Sequence, residues 1–184
     1  MNKQPEKKEQ TKQAFSVAFC QLYSKKPIEK ITVQEITRKA GFNRCTFYQY
    51  FSDIYEVLNY VENDIFDNIE KWHNSKDKNI DTEEVMIREF VKLFDEKGTY
   101  LSALLGQYGS NRFMELLKEK MPHDSHGLTL HITERISPYL IEFHNSLTLS
   151  LIQLWQKRKK DLPLEELADL MIRLNNQGMS AFSK

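Results

Sequence analysis

The chain has 184 residues, of which 40% are hydrophobic and 28% are charged, a composition typical of a globular protein and not of a disordered one. Its formal net charge of +0 is unevenly distributed. Residues 1–55 contain 10 of the 26 Lys and Arg but only 5 of the 26 Asp and Glu, a net charge of +5, which leaves −5 on residues 56–184. The basic N-terminal part suits contact with phosphates, and the acidic remainder argues against a second nucleic-acid surface.

No feature of the sequence indicates secretion or a membrane. Residues 1–11 are polar and lack the apolar stretch of a signal peptide. No run approaches about 18 consecutive apolar residues, so no transmembrane helix is expected. Cys20 and Cys45 lie in different predicted helices without the spacing of metal ligands, and we expect both to be reduced. A cytoplasmic protein without membrane contact is therefore predicted.

Almost every segment shows helical periodicity and no segment alternates like a strand, so the sequence predicts an all-α fold of about nine helices. Residues 1–8 are charged and are expected to be frayed or arm-like. A first helix is predicted over residues 9–24, and Pro27 ends it. Residues 32–51 predict two short helices joined by a turn at Gly41, the layout of a helix-turn-helix.

Local signals define this helix-turn-helix. Thr32 can cap the first helix with its hydroxyl, and Asn43 can cap the second. Gly41 stands where a tight turn commonly requires a positive φ, and Phe47 and Phe51 give the second helix a buried side. The outward side of the second helix holds donors and aromatics, as contact with a negatively charged groove requires: Arg44, Cys45, Thr46, Tyr48, Gln49 and Tyr50. On this pattern alone, a helical hairpin whose polar face is merely solvated remains open.

Further helices are predicted up to the end of the chain. Asp53 is expected to be the N-cap of a long helix that reaches Trp72 and links the helix-turn-helix to the rest of the protein. The later helices are predicted from Thr82 to a stop at Gly98, over residues 100–105, 111–121, 128–137 and 139–160, and from Pro163 at the first helical position. The last two helices carry too many apolar residues for a lone surface hairpin. They either pack against a second copy of the chain or complete the core of a monomer.

The ordered combination of Thr32-Val33, Ala40-Gly41, Thr46-Phe47-Tyr48 and Phe51 resembles the DNA-binding domain of the TetR family of bacterial transcriptional regulators. A weaker resemblance, to the C-terminal domain of one TetR-type branch, lies between Tyr100 and Phe113. The resemblance implies a three-helix DNA-binding head over residues 1–53 and a C-terminal regulatory and dimerisation domain over residues 54–184.

The resemblance also implies which side chains meet DNA. Thr32, Thr46 and Tyr48 stand at positions that hold phosphates in the family. Arg44, Gln49 and Tyr50 are candidates for base edges, because Arg suits the O6 and N7 acceptors of guanine and Gln suits the N6/N7 edge of adenine. For Tyr50, packing against the start of the next helix is the alternative.

One position departs from the family pattern. The family commonly places Lys where this chain has Ile54, and that Lys meets a backbone phosphate. A helix N-terminus can still present N–H groups to a phosphate. We therefore expect somewhat weaker non-specific DNA binding rather than its loss.

Family members dimerise through their last two helices and enclose a small-molecule pocket. The resemblance thus implies a homodimer on a palindromic operator in double-stranded DNA, with recognition helices about 34 Å apart, and a possible small-molecule inducer. Candidate pocket residues are Trp72, Phe90, Phe94, Tyr100, Leu104, Tyr108, Phe113, Phe143 and Trp155. For each of them, packing in the core is the alternative interpretation.

No catalytic motif accompanies these features, and an enzyme is not expected. His123 and His126 have a loose metal-like spacing without a third ligand at a fixed distance, so no metal site and no cofactor are predicted. We expect a TetR-type transcriptional regulator, a repressor that a small-molecule inducer releases from its operator. The alternatives are an activator or coactivator controlled by a protein partner, and a helical interaction protein that does not bind DNA.

Overall fold

A computed structural model describes residues 3–74, 83–120 and 135–178 of the chain. Its helices are α1 (Lys3–Tyr23), α2 (Val33–Ala40), α3 (Arg44–Tyr48), α4 (Ile54–Asn74), α5 (Glu83–Glu96), α6 (Gly98–Leu104), α7 (Asn111–Lys120), α8 (Ser137–Lys157) and α9 (Leu164–Gln177). A 3₁₀ turn at Ile28–Lys30 connects α1 to α2. The predicted all-α fold is confirmed, because the described ranges contain no strand. None of their helices has the length and apolar character needed to span a bilayer.

The first helix is longer than predicted. α1 begins at Lys3, so the arm expected over residues 1–8 is wrong from that residue onward. Glu, Lys and Gln, which fill this segment, are good helix formers, and Pro5 lies in the first turn, where a missing N–H costs no hydrogen bond. The Tyr60 hydroxyl of α4 also donates to the Glu9 carboxylate. The periodicity of apolar residues did not predict these first turns of α1, because helical turns exposed to water need no stripe of apolar side chains.

Two predicted helix boundaries are also wrong. Gly98 begins α6 instead of ending α5, and its φ is not among the positive glycine values. Pro138 lies in the first turn of α8, where proline is tolerated, instead of separating two helices. Most of the helix predicted over residues 128–137 falls outside the described residues. α8 ends at Lys157, before two residues with positive φ, Lys159 at 59° and Lys160 at 58°.

The chain divides into two compact units, and the first comprises Met1–Asp67 and Thr99–Leu116. Phe15 of α1 is fully buried at its aromatic centre, with its ring centroid 5.3 Å from that of Phe47 and 6.4 Å from that of Phe51. α2 packs against α1, and α3 packs against α2. The unit also buries apolar side chains of α4 and α6: Val57, Val61, Ile65, Leu101 and Leu104. α1 therefore supports the helix-turn-helix, as predicted.

The second unit comprises Asn68–Gly98 and Leu117–Lys184, and in it α9 packs against α5 and α8. Arg88 of α5 holds two carboxylates of α9, Glu165 at 2.6 Å and Asp169 at 2.5 Å. Trp155 Nε1 of α8 donates to the Leu162 carbonyl oxygen at 2.8 Å, which fixes the turn into α9. Both α4 and α7 contribute to the two units, so the functional boundary expected after residue 53 stays a prediction.

Candidate DNA interface

The N-terminus of α2 is closed by a reciprocal capping box. Thr32 Oγ1 accepts the Glu35 N–H at 3.2 Å, and the Glu35 carboxylate accepts the Thr32 N–H at 3.0 Å. The same carboxylate also accepts the Thr32 hydroxyl proton at 3.0 Å and pairs with Lys26 Nζ at 2.6 Å. The predicted cap is therefore confirmed, and a lysine from outside α2 is added to it.

The turn between α2 and α3 depends on Gly41. Its φ of 77° places it in the left-handed region, as predicted, and its N–H donates to the Thr37 carbonyl oxygen. Phe42 follows with its ring 5.2 Å from that of Phe15, yet 38% of it remains exposed. The turn thus leaves an aromatic side chain at the surface directly before α3.

α3 is a short helix held by its cap and by one buried side chain. Asn43 Oδ1 accepts the Thr46 N–H at 2.8 Å and the Thr46 hydroxyl proton at 3.1 Å. Phe47 is fully buried, and the Tyr50 N–H donates to its carbonyl oxygen at 2.9 Å. The helix ends at Tyr48, so Gln49 and Tyr50 belong to the turn that follows it.

The predicted DNA-binding residues from Arg44 to Tyr50 lie close together in α3 and in the turn directly after it. Arg44, Cys45 and Gln49 are exposed, Tyr48 is 57% exposed, and Thr46 and Tyr50 are half-buried. Their outward side chains include a guanidinium, a phenol and an amide but no carboxylate. Such a surface offers hydrogen-bond donors to phosphates and base edges. Both cysteines are free, with Cys20 buried and Cys45 on this surface.

The start of α4 borders the same surface. Asp53 Oδ1 accepts the Glu56 N–H at 2.8 Å, which confirms the predicted N-cap. The Glu56 carboxylate in turn accepts the Ser52 N–H, and this hydrogen bond holds the pKa of Glu56 below its usual value. Ile54 is half-buried at the first position of the helix. The acidic side chain of Glu56, which sequence reasoning did not consider, adds a negative charge near the position where the family has its Lys.

Sequence reasoning also missed Lys26. The spacing of Thr32 and Glu35 is a capping-box signal that could have been read from the sequence. Lys26 is nine residues from Glu35, in the segment after α1, and no local pattern joins them. The 3₁₀ turn at Ile28–Lys30 lies between the two residues in the chain.

The predicted pocket residues are divided between the two units. Tyr100, Leu104 and Phe113 are buried and Tyr108 is half-buried in the first unit. In the second unit Phe94 and Trp155 are buried, whereas Phe143 is 63% exposed on α8. The Trp72 side chain lies outside the described residues. Their role in a ligand pocket stays a prediction.

The described part of the second unit contains a small cavity of about 130 Å³, lined by Asn68, Ile69, Glu89, Phe90, Lys92, Leu93 and Glu96. Pockets for drug-sized ligands measure about 300–1,000 Å³, so this cavity suits at most a very small molecule. The predicted His123 and His126 fall outside the described residues. Within the three described ranges, no group of three His, Cys, Asp or Glu side chains could hold a metal ion.

Comparisons with known proteins identify a family model and solved structures that are similar to this chain. A family model described as bacterial regulatory proteins, tetR family, matches residues 18–61, the segment from α1 into α4. A TetR transcriptional regulator from Streptococcus agalactiae 2603V has a similar structure, with a TM-score of 0.60, 19% identity, and coverage of 94% of this chain and 97% of that one. The fatty acid degradation regulator FadR from Bacillus halodurans aligns with a TM-score of 0.64 and 15% identity over 92% of this chain and 96% of its own.

None of the curated proteins matches the sequence. At these identities the solved structures show a shared fold, whereas the family model identifies the helix-turn-helix itself. Residues 18–61 therefore contain the N-terminal helix-turn-helix domain described by the tetR family model, and the described helices share the all-helical fold of the two solved regulators.

Proposed function

We propose that the protein is a transcriptional repressor that binds a palindromic operator as a homodimer and leaves it when a small-molecule inducer binds. The observation that carries this proposal is the exposed surface of Arg44, Tyr48 and Gln49 on a capped helix-turn-helix. It lies in the part of the chain with a net charge of +5, which favours the approach of a polyanion.

The exposed side chains fit two kinds of contact. Thr32, Thr46 and Tyr48 would hold phosphates and fix the register of the head on the duplex. Arg44 and Gln49 would read base edges in the major groove, with Tyr50 and Cys45 beside them. Tyr48 is well placed for a phosphate, since 57% of it is exposed while its ring packs edge-on against the buried Phe47 at 5.5 Å.

The surface of α8 supports dimerisation through the last two helices. Large apolar side chains are exposed along α8 and just before it: Ile136, Tyr139, Leu140, Phe143 and Leu154. A face of this kind is costly in water and marks an interaction site. Packed against a second copy of α8 and α9, it would complete a four-helix bundle with two-fold symmetry. Such a dimer would present two heads to the two halves of an operator.

The test of DNA binding uses fluorescence anisotropy. Labelled DNA from immediately upstream of the gene is compared with a scrambled duplex across a salt series. We expect preferential binding to the upstream DNA and an affinity that falls steeply with salt. Arg44→Ala should remove about 1–3 kcal/mol of that binding and relax the sequence preference, whereas Arg135→Ala, which removes an exposed arginine outside the head, should change little. Equal, weak binding to both duplexes would contradict the proposal.

The small volume of this cavity favours a second candidate function, in which a protein partner and not a small molecule controls DNA binding. An activator or coactivator whose second unit binds a protein partner needs no ligand pocket, and the cavity of about 130 Å³ in the described part of that unit is too small for a drug-sized inducer. Upstream DNA binding that persists in a broad inducer screen, but changes when a partner protein is added, would favour this candidate. A helical interaction protein without DNA binding is distinguished by the absence of salt-dependent affinity.

A further inference from the structure

The hydroxyl of Thr32 is already engaged in the free chain. A threonine hydroxyl has one proton to donate, and Thr32 gives it to Glu35 Oε2 at 3.0 Å. That proton is the one a phosphate would need, because phosphate oxygens only accept. For Thr32 to contact DNA as proposed above, its hydroxyl must turn away from Glu35.

The bonding of Glu35 shows why this exchange can occur. Its Oε1 accepts from Lys26 Nζ at 2.6 Å, and its Oε2 keeps the Thr32 backbone N–H at 3.0 Å when the hydroxyl leaves. Each carboxylate oxygen therefore retains one donor, so the hydroxyl bond is the dispensable one. The side chains of Lys26 and Glu35 are 28% and 29% exposed, so this ion pair is partly shielded from water.

We propose that Lys26 is a positioning residue of the DNA interface, which holds the Glu35 carboxylate while the Thr32 hydroxyl passes from Glu35 to a DNA phosphate. This role rests on the proposed DNA-binding function and adds to it a residue outside the helix-turn-helix motif. Without Lys26, Glu35 has Thr32 as its remaining partner in this network and competes with the phosphate for the hydroxyl proton. Hydrogen bonds from Lys26 and Thr32 lower the pKa of Glu35 in the unchanged protein. An ordinary glutamate is also ionised at neutral pH, so the competing group in the variant is a carboxylate.

A double-mutant cycle of Lys26→Met and Glu35→Gln tests the role. Gln at this position still completes a capping box, so Glu35→Gln leaves α2 capped. The probe is a labelled duplex of roughly 30 base pairs from upstream of the gene, which is long enough for two half-sites one helical turn apart. We expect Lys26→Met to weaken binding roughly tenfold, the effect of one hydrogen bond to a charged group. Glu35→Gln should not weaken binding, and the double variant should bind about as well as Glu35→Gln alone.

The matched control is the cycle of Lys25→Met and Glu29→Gln. Both residues are exposed next to the same segment, and no contact of the described structure joins them. Fixed charges act additively on a distant phosphate, so this cycle should show no coupling between the two substitutions. It also measures how much the loss of any nearby charge changes the affinity for DNA. Thermal unfolding of each variant shows that the head remains folded.

Each other outcome overturns the role. Additive effects in the Lys26 and Glu35 cycle, with a salt slope reduced by about 1, would make Lys26 an ordinary phosphate contact. Equal weakening by both single variants and the double variant would make the pair a structural salt bridge. In both cases the unchanged protein still binds DNA and the proposed function stands. If the unchanged protein binds neither upstream nor scrambled DNA, the proposed function fails and the role of Lys26 with it.

Discussion

Replacing Gly41 by Ala isolates the backbone requirement of the turn that sets α3 against α2. The φ of Gly41 is 77°, and a Cβ added there would meet no atom within 4 Å. Contacts with the rest of the chain therefore contribute nothing, and the cost is the local clash of Cβ with the adjacent backbone in the left-handed conformation, about 1–2 kcal/mol for an L-residue. Ala also lowers the conformational entropy of the unfolded chain, which offsets about 0.4–1 kcal/mol of this cost. We expect Gly41→Ala to lower the free energy of unfolding by about 1 kcal/mol.

Two variants give this prediction its controls. Gly41→Asn should cost clearly less, because Asn tolerates the left-handed region. Gly98→Ala should be neutral or stabilising, since Gly98 lies in α6 without a positive φ and a Cβ there would make ordinary contacts of 3.7–3.9 Å. Urea unfolding followed by circular dichroism, at one fixed protein concentration, measures all three.

With a typical slope of about 1–3 kcal/mol per molar urea, Gly41→Ala should lower the midpoint by roughly 0.3–1 M. A midpoint equal to that of the unchanged protein would refute the reasoning, because it would mean that the turn can adopt a negative φ without loss. An Asn variant as unstable as the Ala variant would point to the same conclusion, since the special tolerance of Asn would then be irrelevant.

Three further variants test other parts of the molecule. Ile54→Lys restores the family's phosphate contact and should tighten binding to scrambled DNA and steepen its salt slope by about 1; an unchanged slope and affinity in the anisotropy titration would be inconsistent with this. Phe143→Glu places a charge on the apolar face of α8 and should give a 21.8 kDa monomer by light scattering, whereas Lys157→Glu, at the exposed end of the same helix, should remain dimeric. Glu62 is only 8% exposed, and burial raises its pKa despite the attraction of Arg112. Between the unfolded and the raised folded pKa the folded state binds more protons, so its stability falls as pH rises. Glu62→Gln should therefore raise the melting temperature at pH 7, and the gain should shrink toward a pH of about 4; a gain that grows on acidification would reverse the assigned sign.

The parts of the head that the sequence predicted correctly rest on local chemistry. A capping side chain bonds to a backbone group two or three residues away. Thr32, Asn43 and Asp53 therefore predict the starts of their helices from the local sequence alone. The turn at Gly41 could likewise be predicted, because it needs a positive φ at that one residue and glycine adopts it readily. Phe47 and Phe51 are both buried as predicted, but the predicted helix through Phe51 is wrong, because α3 ends at Tyr48 and Phe51 follows in the turn, where its N–H donates to the Phe47 carbonyl oxygen.

The wrong predictions concern residues whose meaning depends on the surroundings. A glycine after a helix can end it or, like Gly98, begin the next one, and a proline such as Pro138 can stop a helix or stand in its first turn. The Lys26–Glu35 pair depends on the path of the connecting turn, which no periodicity reports. A stripe of apolar residues on α8 also could not show that Phe143 is exposed, since core and interface residues have the same spacing.

The short recognition helix makes the dimer surface part of the proposed DNA readout. Two base-reading side chains in each head, as proposed for Arg44 and Gln49, would supply about 1–3 kcal/mol of discrimination each, or roughly 2–6 kcal/mol per head. A specific site commonly exceeds non-specific binding by about 4–10 kcal/mol, which one head reaches only in part. Two heads held by one α8 interface would double the discrimination and cover that range. Phe143→Glu should accordingly reduce the preference for the operator far more than the binding of a single head to scrambled DNA, because the variant leaves the head itself unchanged.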